Sequence, residues 1–409
     1  MNLKAKIGAD LSFTRNELRE TDEFLSTITS IFISAKYFGL PSYGGVLAHC
    51  YGITLFLLLA ALEAGAVWKI ILVLGVAATD GRGLVARLSG CVFYGNALLS
   101  LILTWRFISS WKCISVLWTL AETTGGLYFP PDLKIKRRVI IVTCNFIICA
   151  IVEHVMSMIS ATGLDIPPEE YFDRYILSSH GFLLKPEEYN IWLGIVIFVL
   201  SKLATILWNF QDLIIILISM GLTSRYRRLN KFVDDFVRLE KRHKEKAKLG
   251  TELYAQVLTW RRLREAYVRQ ATLVRKVDQK LGKLILLCNL NNFYFICLQL
   301  FLGLNQNSNM GVINKSYYFY SLGWLLFRAC SVVLVAADVN LHSKKALSCL
   351  YCCPGSAYNV EIKRLENQLT YDFVALSGMR FFFLDRQLFL EVAAAIVKYE
   401  LVMIQYDNQ

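Results

Sequence analysis

The sequence is poor in charged residues and in proline for its length. Only 19% of its 409 residues are Asp, Glu, Lys or Arg, whereas soluble domains contain about 25%. All seven prolines fall between the long apolar runs, as helix continuity requires. The N-terminal stretch is polar where a secretory signal would be apolar, so we expect no cleavable signal peptide. This composition argues against an ordinary soluble or secreted domain.

Motifs of catalysis and metal binding are also missing. There is no Gly-rich phosphate loop and no nucleophile elbow, and the five histidines are scattered along the chain. Cys349, Cys352 and Cys353 lie close together, but a structural zinc site needs four ligands. No cysteine falls in a predicted outer loop, so a disulfide framework has no support. We predict that the protein is not an enzyme and has no metal site and no cofactor.

Long apolar runs dominate what is present, and they predict an all-α membrane protein. A bilayer core of about 30 Å needs about 20 helical residues to cross it, and runs such as "ITLFLLLAALEAGAVWKIILVLGV" reach that length. We predict seven transmembrane helices, at about residues 46–74, 84–105, 138–162, 187–222, 281–304, 316–340 and 383–407.

The distribution of Lys and Arg predicts the orientation of these spans. Basic residues are concentrated after the second, fourth and sixth spans, whereas the loop 163–186 is mainly acidic. Because cytoplasmic loops carry the excess of Lys and Arg, we predict a cytosolic N-terminus and an extracellular C-terminus. The net charge of +12 then reflects topology and contact with membrane lipids. It does not indicate nucleic-acid binding, and we predict a multi-pass protein of the plasma membrane.

Some helices are predicted to continue beyond the bilayer. The fourth span runs without proline from 187 to 246, and a seven-residue apolar repeat precedes the fifth. The stretch "ALSGMRFFFLDRQLFLEV" predicts a further short helix before the last span. We predict a cytosolic N-terminal segment (1–45), a bundle of four spans that holds the ligand pocket (46–222) and a cytosolic anchor (223–280). Two further spans (281–340), a cytosolic segment with a short anchor helix (341–382) and a pore-lining span (383–409) follow.

Polar and aromatic side chains recur at membrane depth toward the predicted outer halves of the spans. Taken singly, each is explained by an aromatic belt or by a hydrogen bond between helices. Taken together, aromatic faces beside amides, hydroxyls and a carboxylate suit a polyol, which offers hydroxyls to bond and a ring face to stack. The candidate ligand-binding residues are Glu153, His154, Trp192, Asn291, Asn292, Gln299, Tyr320 and Trp324.

The end of the chain carries a recognisable motif. The stretch "KYELVMIQY" (398–406) is similar to the C-terminal signature of insect gustatory receptors, in which Thr-Tyr is followed by five mostly hydrophobic residues and Gln-Phe. Tyr399 and Gln405 match it, Lys398 stands where threonine is usual, and Tyr406 replaces phenylalanine. Other stretches, including "EHVMSMIS" (153–160) and "DFVALSGMRFFFLDRQL" (372–388), resemble the sugar-sensing branch of that family.

The resemblance implies a sugar-gated, non-selective cation channel built as a homo- or heterotetramer of identical or related subunits. Its central pore would be lined by the last helix, with Tyr399, Leu401, Gln405 and Tyr406 at the pore or gate, and the cell would be a gustatory neuron. Lys398 is expected to turn away from the permeating cations.

Several alternatives stay open at this point. The alternative role for Gln405 is an interhelical hydrogen bond that holds subunits together, although the motif favours the pore. The whole chain would also suit an odorant-receptor-type channel for another small ligand or a metabotropic seven-helix receptor. A sugar transporter is a weaker alternative, because the short, Gly- or Pro-broken segments typical of inverted repeats are missing.

Overall fold

The computed structural model describes residues 23–41, 43–75, 81–123, 127, 129–163, 167–184, 186–242, 250–304, 311–355 and 358–407. Within these ranges the chain is helical, and its only extended pairing is an isolated bridge between Ser377 and Phe383. The α-helices, in chain order, are α1 (Glu23–Ser34), α2 (Val46–Gly75), α3 (Gly81–Thr123), α4 (Ile135–Thr162), α5 (Tyr171–Ser179), α6 (Ile191–Arg242), α7 (Gly250–Leu304), α8 (Val312–Lys344), α9 (Leu347–Leu350), α10 (Val360–Tyr371) and α11 (Arg386–Asp407).

Six of the described helices are long and apolar enough to cross a membrane, namely α2, α3, α4, α6, α7 and α8. They coincide with the first six predicted spans. The seventh predicted span coincides with α11, whose side chains at position 400 and from 402 onward lie outside the described residues. The all-helical class is therefore confirmed, while the count of seven and the sides of the termini stay predictions.

One helix extends well beyond the predicted end of its span. α3 continues to Thr123, whereas the apolar run suggested an end near residue 105. The additional turns contain charged residues, but they also bury Phe107, Trp111 and Trp118 at helical spacing along one face. Hydropathy finds the part of a helix that suits lipid, and this amphipathic continuation packs on protein instead.

The two longest helices pack along each other as the apolar repeat predicted. α6 has 52 residues and α7 has 55, which corresponds to roughly 80 Å each at 1.5 Å per residue. Trp260, Tyr267 and Val274, seven residues apart, are all buried. We call the parts of α6 and α7 that lie within the predicted anchor, residues 223–242 and 250–280, the helical base. The base has the helical construction expected of an anchor, and its cytosolic location stays a prediction.

The predicted short helix over residues 375–392 is wrong in its first half. α10 ends earlier, at Tyr371, and residues 372–385 form an irregular turn in which Met379 and Arg380 have positive φ angles of 53° and 65°. The cause is a contact distant in sequence. The carboxylate of Asp278 accepts the backbone N–H of Ser377 at 2.6 Å and also its hydroxyl, and these bonds hold the turn outside a helix.

A helix near the N-terminus, which the sequence did not suggest, packs on the C-terminal part of α3. α1 places Phe24 5.0 Å from Trp118 and Phe32 5.2 Å from Trp111, measured between ring centroids. The indole of Trp111 also donates to the hydroxyl of Thr29 at 3.2 Å. α1 is therefore an integral layer of the fold.

The contact between α1 and α6 requires a glycine. A Cβ atom added at Gly221 would overlap the ring of Phe24, which is itself buried. We expect Gly221→Ala to displace α1 and to lower stability by about 1–3 kcal/mol, measured as a lower midpoint of thermal unfolding in detergent. Gly323→Ala is the matched control, because nothing lies within 4 Å of the added atom. Equal midpoints for both variants would contradict this packing.

Candidate ligand site and pore helix

A buried ion pair lies where α6, α7 and α8 meet. Arg328 of α8 is 2% exposed, and its Nη1 atom lies 3.7 Å from Oδ2 of Asp212, which is 0% exposed. The same Nη1 donates to Oδ1 of Asn209 at 2.7 Å. The guanidinium also lies 4.6 Å from the ring centroid of Trp208 and 5.7 Å from that of Trp324, an arrangement that cation–π attraction stabilises.

Asp212 also connects α6 to α7. Its Oδ1 accepts the thiol of Cys288 at 2.9 Å and lies 3.5 Å from Nδ2 of Asn292. The indole of Trp208 donates to Oδ1 of Asn292 at 3.1 Å. Because a buried charge is tolerated only when it is paired and hydrogen-bonded, these contacts fix the three helices against one another.

A second set of bonds brings α4 into the same region. The hydroxyl of Ser321 donates to Oε1 of Glu153 at 2.8 Å, and Nε2 of Gln299 donates to that hydroxyl at 3.1 Å. Glu153 also lies within electrostatic range of Arg328. We call the whole set the deep polar cluster; it consists of Glu153, Asn209, Asp212, Cys288, Asn292, Gln299, Ser321 and Arg328.

A separate group lies where α3, α4, α6 and the end of α5 come together. Nζ of Lys202 donates to the hydroxyl of Tyr175 at 2.7 Å and lies 3.5 Å from Nδ1 of His154. It also lies 4.6 Å from the ring centroid of Tyr175 and 4.5 Å from that of Phe198. We call this group the outer cluster; its members are Tyr94, His154, Tyr175, His180, Phe198 and Lys202.

His180 closes the outer cluster from the loop that follows α5. Its ring lies 6.4 Å from that of Tyr94 and 6.2 Å from that of Tyr175. Burial, together with the charge of nearby Lys202, lowers the pKa of His180 to about 4. The imidazole is therefore neutral at physiological pH.

The structure brings four of the eight predicted ligand residues together in one region. Glu153, Asn292 and Gln299 belong to the deep polar cluster, and Trp324 lies beside it. His154 belongs to the outer cluster, and the hydroxyl of Tyr320 donates to the backbone of Cys149 at 3.1 Å. Trp192 stands apart from these residues and is 74% exposed on α6. Their role in ligand binding stays a prediction.

Sequence reasoning missed four polar members of the outer cluster, namely Tyr94, Tyr175, His180 and Lys202. For Lys202 a signal was present, because it is the one charged residue in the apolar stretch "IWLGIVIFVLSKLATILWNF". An ionisable group at that depth is a functional candidate by default. Tyr175 and His180 gave no comparable signal, since both occur in a polar loop region.

The predicted pore helix is attached to the rest of the fold at its N-terminal end. α11 packs on α7 and α8, and the guanidinium of Arg386 lies 3.6 Å from the carboxylate of Asp338. Tyr399 is exposed, and Leu401 is 58% exposed. The side chains of the other two predicted pore residues, Gln405 and Tyr406, lie outside the described part of the structure.

Comparison with known proteins identifies the family. The family described as "Trehalose receptor" matches residues 9–409. The gustatory receptor for sugar taste 64a of Drosophila melanogaster is 31% identical, over 78% of this chain and 69% of its own length. Gustatory receptor 5a for trehalose of the same species is 28% identical, over 75% of this chain and 67% of its own length.

The fold has a counterpart among solved structures. The insect olfactory receptor OR5 from Machilis hrabei, determined in complex with eugenol, superposes with a TM-score of 0.66. The superposition covers 94% of this chain and 100% of that one at 11% sequence identity, so it shows a shared fold. The relatives found by sequence are taste receptors and not enzymes, as the sequence predicted. The chain belongs to the insect gustatory receptor family, among its sugar and trehalose receptors, and it has the fold of an insect olfactory receptor.

Proposed function

We propose that the protein is a sugar-gated, non-selective cation channel in the plasma membrane of gustatory neurons. Four identical or related subunits surround one pore, and α11 of each subunit lines it. The names of the relatives, which specify sugar taste and trehalose, support the ligand class. The C-terminal motif and the helical base support the assembly.

One observation carries the proposal for the ligand. The side chain of Asn291 is only 4% exposed, yet neither its Oδ1 nor its Nδ2 has a hydrogen-bond partner among the described residues. Oε1 of Gln299 and Nε1 of Trp324 are likewise buried without a partner there. An unsatisfied buried group costs about 1–3 kcal/mol. A sugar hydroxyl both donates and accepts, so it would satisfy such groups while its ring stacks on the indole.

The same helices supply a route from the ligand to the pore. The deep polar cluster joins α4, α6, α7 and α8, and two of these, α7 and α8, contact α11. A ligand shifts the channel toward the open state only by binding that state more tightly. A sugar that draws the helices together would pull on α7 and α8 and move α11 away from the axis.

We expect Asn291→Leu to raise the sugar concentration for half-maximal current about tenfold, equivalent to about 1.4 kcal/mol of lost bonding. Folding should not suffer, because leucine has a similar size and the lost amide forms no bond within the described protein. The measurement is sugar-evoked current in a non-neuronal cell across a panel of mono- and disaccharides. Leu290→Ala, an exposed neighbour on α7, is the control. An unchanged dose response in Asn291→Leu would contradict this site.

A channel for a small apolar ligand is the second candidate, because the fold is shared with a receptor solved in complex with eugenol. The same recordings separate the two functions. Responses to sugars with none to volatile aromatics support the first, and the reverse result supports the second.

A further inference from the structure

We propose that Lys202 is a specificity-determining residue and that the outer cluster recognises sugars bearing a carboxylate, that is, uronic acids. The inference deepens the proposed function and rests on it. Lys202 belongs neither to the C-terminal motif nor to the deep polar cluster, and the inference gives it a role.

The first observation is that Lys202 lacks a counter-ion. None of the described carboxylates forms a salt bridge with it, and its contacts are the hydroxyl of Tyr175, Nδ1 of His154 and two aromatic faces. An ammonium group has three donors, and only one is engaged at a short distance. An unpaired cation at membrane depth is costly to maintain, so a ligand that supplies an anion would remove that cost.

The second observation concerns the charges around the lysine. Tyr94, Tyr175 and Phe198 are neutral, and His180 is neutral at physiological pH because burial lowers its pKa to about 4. The nearby carboxylate of Glu153, next to His154 in sequence, already accepts the hydroxyl of Ser321. The outer cluster therefore carries a positive charge that no described anion balances. Because Lys202 is partly shielded from water, a charge-assisted hydrogen bond to it is stronger than one at the surface.

The third observation is that the side chains around Lys202 suit a sugar ring. Lys202 is half-buried, so the ligand can reach its ammonium group. Aromatic faces from Tyr175 and Phe198 lie beside it, and the imidazole of His180 lies 6.2 Å from the ring of Tyr175. Nδ1 of His180 has no hydrogen-bond partner among the described residues. A carboxylate bound to Lys202 and a hydroxyl bound to His180 would place the sugar ring against these aromatic faces.

The experiment compares neutral sugars with their C6-oxidised counterparts in the full-length receptor. Glucose and glucuronate differ by one group, as do galactose and galacturonate, so each pair isolates the carboxylate. We expect the half-maximal concentration of the uronate to be about tenfold lower than that of the neutral sugar. Lys202→Met should abolish or reverse this preference, and Lys202→Arg should keep it.

Controls separate local recognition from general attraction of anions. Lys69→Met also removes one positive charge, from a salt bridge with Glu188 near the start of α6, and it should keep the uronate preference. Surface labelling verifies that each variant reaches the plasma membrane. If Lys202→Met does not, Lys202→Gln is used in its place.

The outcomes are distinguishable. If the wild-type channel answers neutral sugars but does not prefer uronates, or if Lys202→Met keeps the preference, this inference is overturned and the proposed function stands. If no sugar opens the wild-type channel while the protein is at the surface, the proposed function fails and this inference fails with it.

Discussion

We expect Arg328→Met to remove almost all of the receptor from the cell surface. Without the guanidinium, Asp212 would remain fully buried beside Cys288 and Asn292 with no cation to balance it. Breaking a buried pair by removing one partner costs about 3–5 kcal/mol, a large part of the total stability of a typical domain, which is about 5–15 kcal/mol. The measurement is surface biotinylation relative to total protein.

The double variant shows whether charge or packing is responsible. Adding Asp212→Asn to Arg328→Met removes the stranded carboxylate, so we expect surface expression to recover in large part. Arg238→Met is the matched control, because Arg238 forms an exposed pair with Asp234 within α6, and exposed pairs contribute little. Wild-type surface levels in the single variant would contradict the structural role assigned to the buried pair.

The second large effect is expected in the pore. Gln405→Arg should lower single-channel cation conductance at least about tenfold, because a ring of like charges repels the permeating ion by about 1 kcal/mol per charge at 4 Å even in bulk water. Surface expression should be preserved if the side chain faces water. A conductance within twofold of wild type would place position 405 away from the permeation path.

Lys398 provides a second test on the same helix. The sequence suggested that this lysine turns away from the cations, so Lys398→Thr should leave cation conductance unchanged. In a regular helix position 398 lies on the same face as position 405, seven residues later. A large rise in conductance would therefore place Lys398 in the pore and contradict the expectation.

The main helices were predictable because their signals are local. The apolar runs predicted the six span-length helices, and the seven-residue repeat predicted that α7 begins far ahead of its lipid-compatible part. The turn at 372–385 was not predictable in this way. Its residues have an apolar composition compatible with a helix, and what prevents one is Asp278, about a hundred residues earlier in the chain.

For the candidate site, the sequence predicted the unusual residue types but not their contacts. Polar residue types at membrane depth identified Glu153, Asn291 and Gln299 as unusual. The partners could not be predicted, since they depend on how each helix is rotated. Asn291 and Asn292 are neighbours in sequence, yet Asn292 bonds to Trp208 while both amide atoms of Asn291 lack a partner among the described residues. That difference, which decides the ligand hypothesis, is a property of packing.

Cysteine accessibility on α11 tests the central claim that copies of this helix surround an aqueous pore. Leu401→Cys places a thiol at an exposed position. We predict that a charged methanethiosulfonate reagent, applied from outside, irreversibly blocks the sugar-evoked current of this variant and reacts faster when sugar is present. The wild-type current should be insensitive to the reagent. Undiminished current in Leu401→Cys after exposure would contradict the account, because the last helix would then face lipid or protein instead of permeating ions.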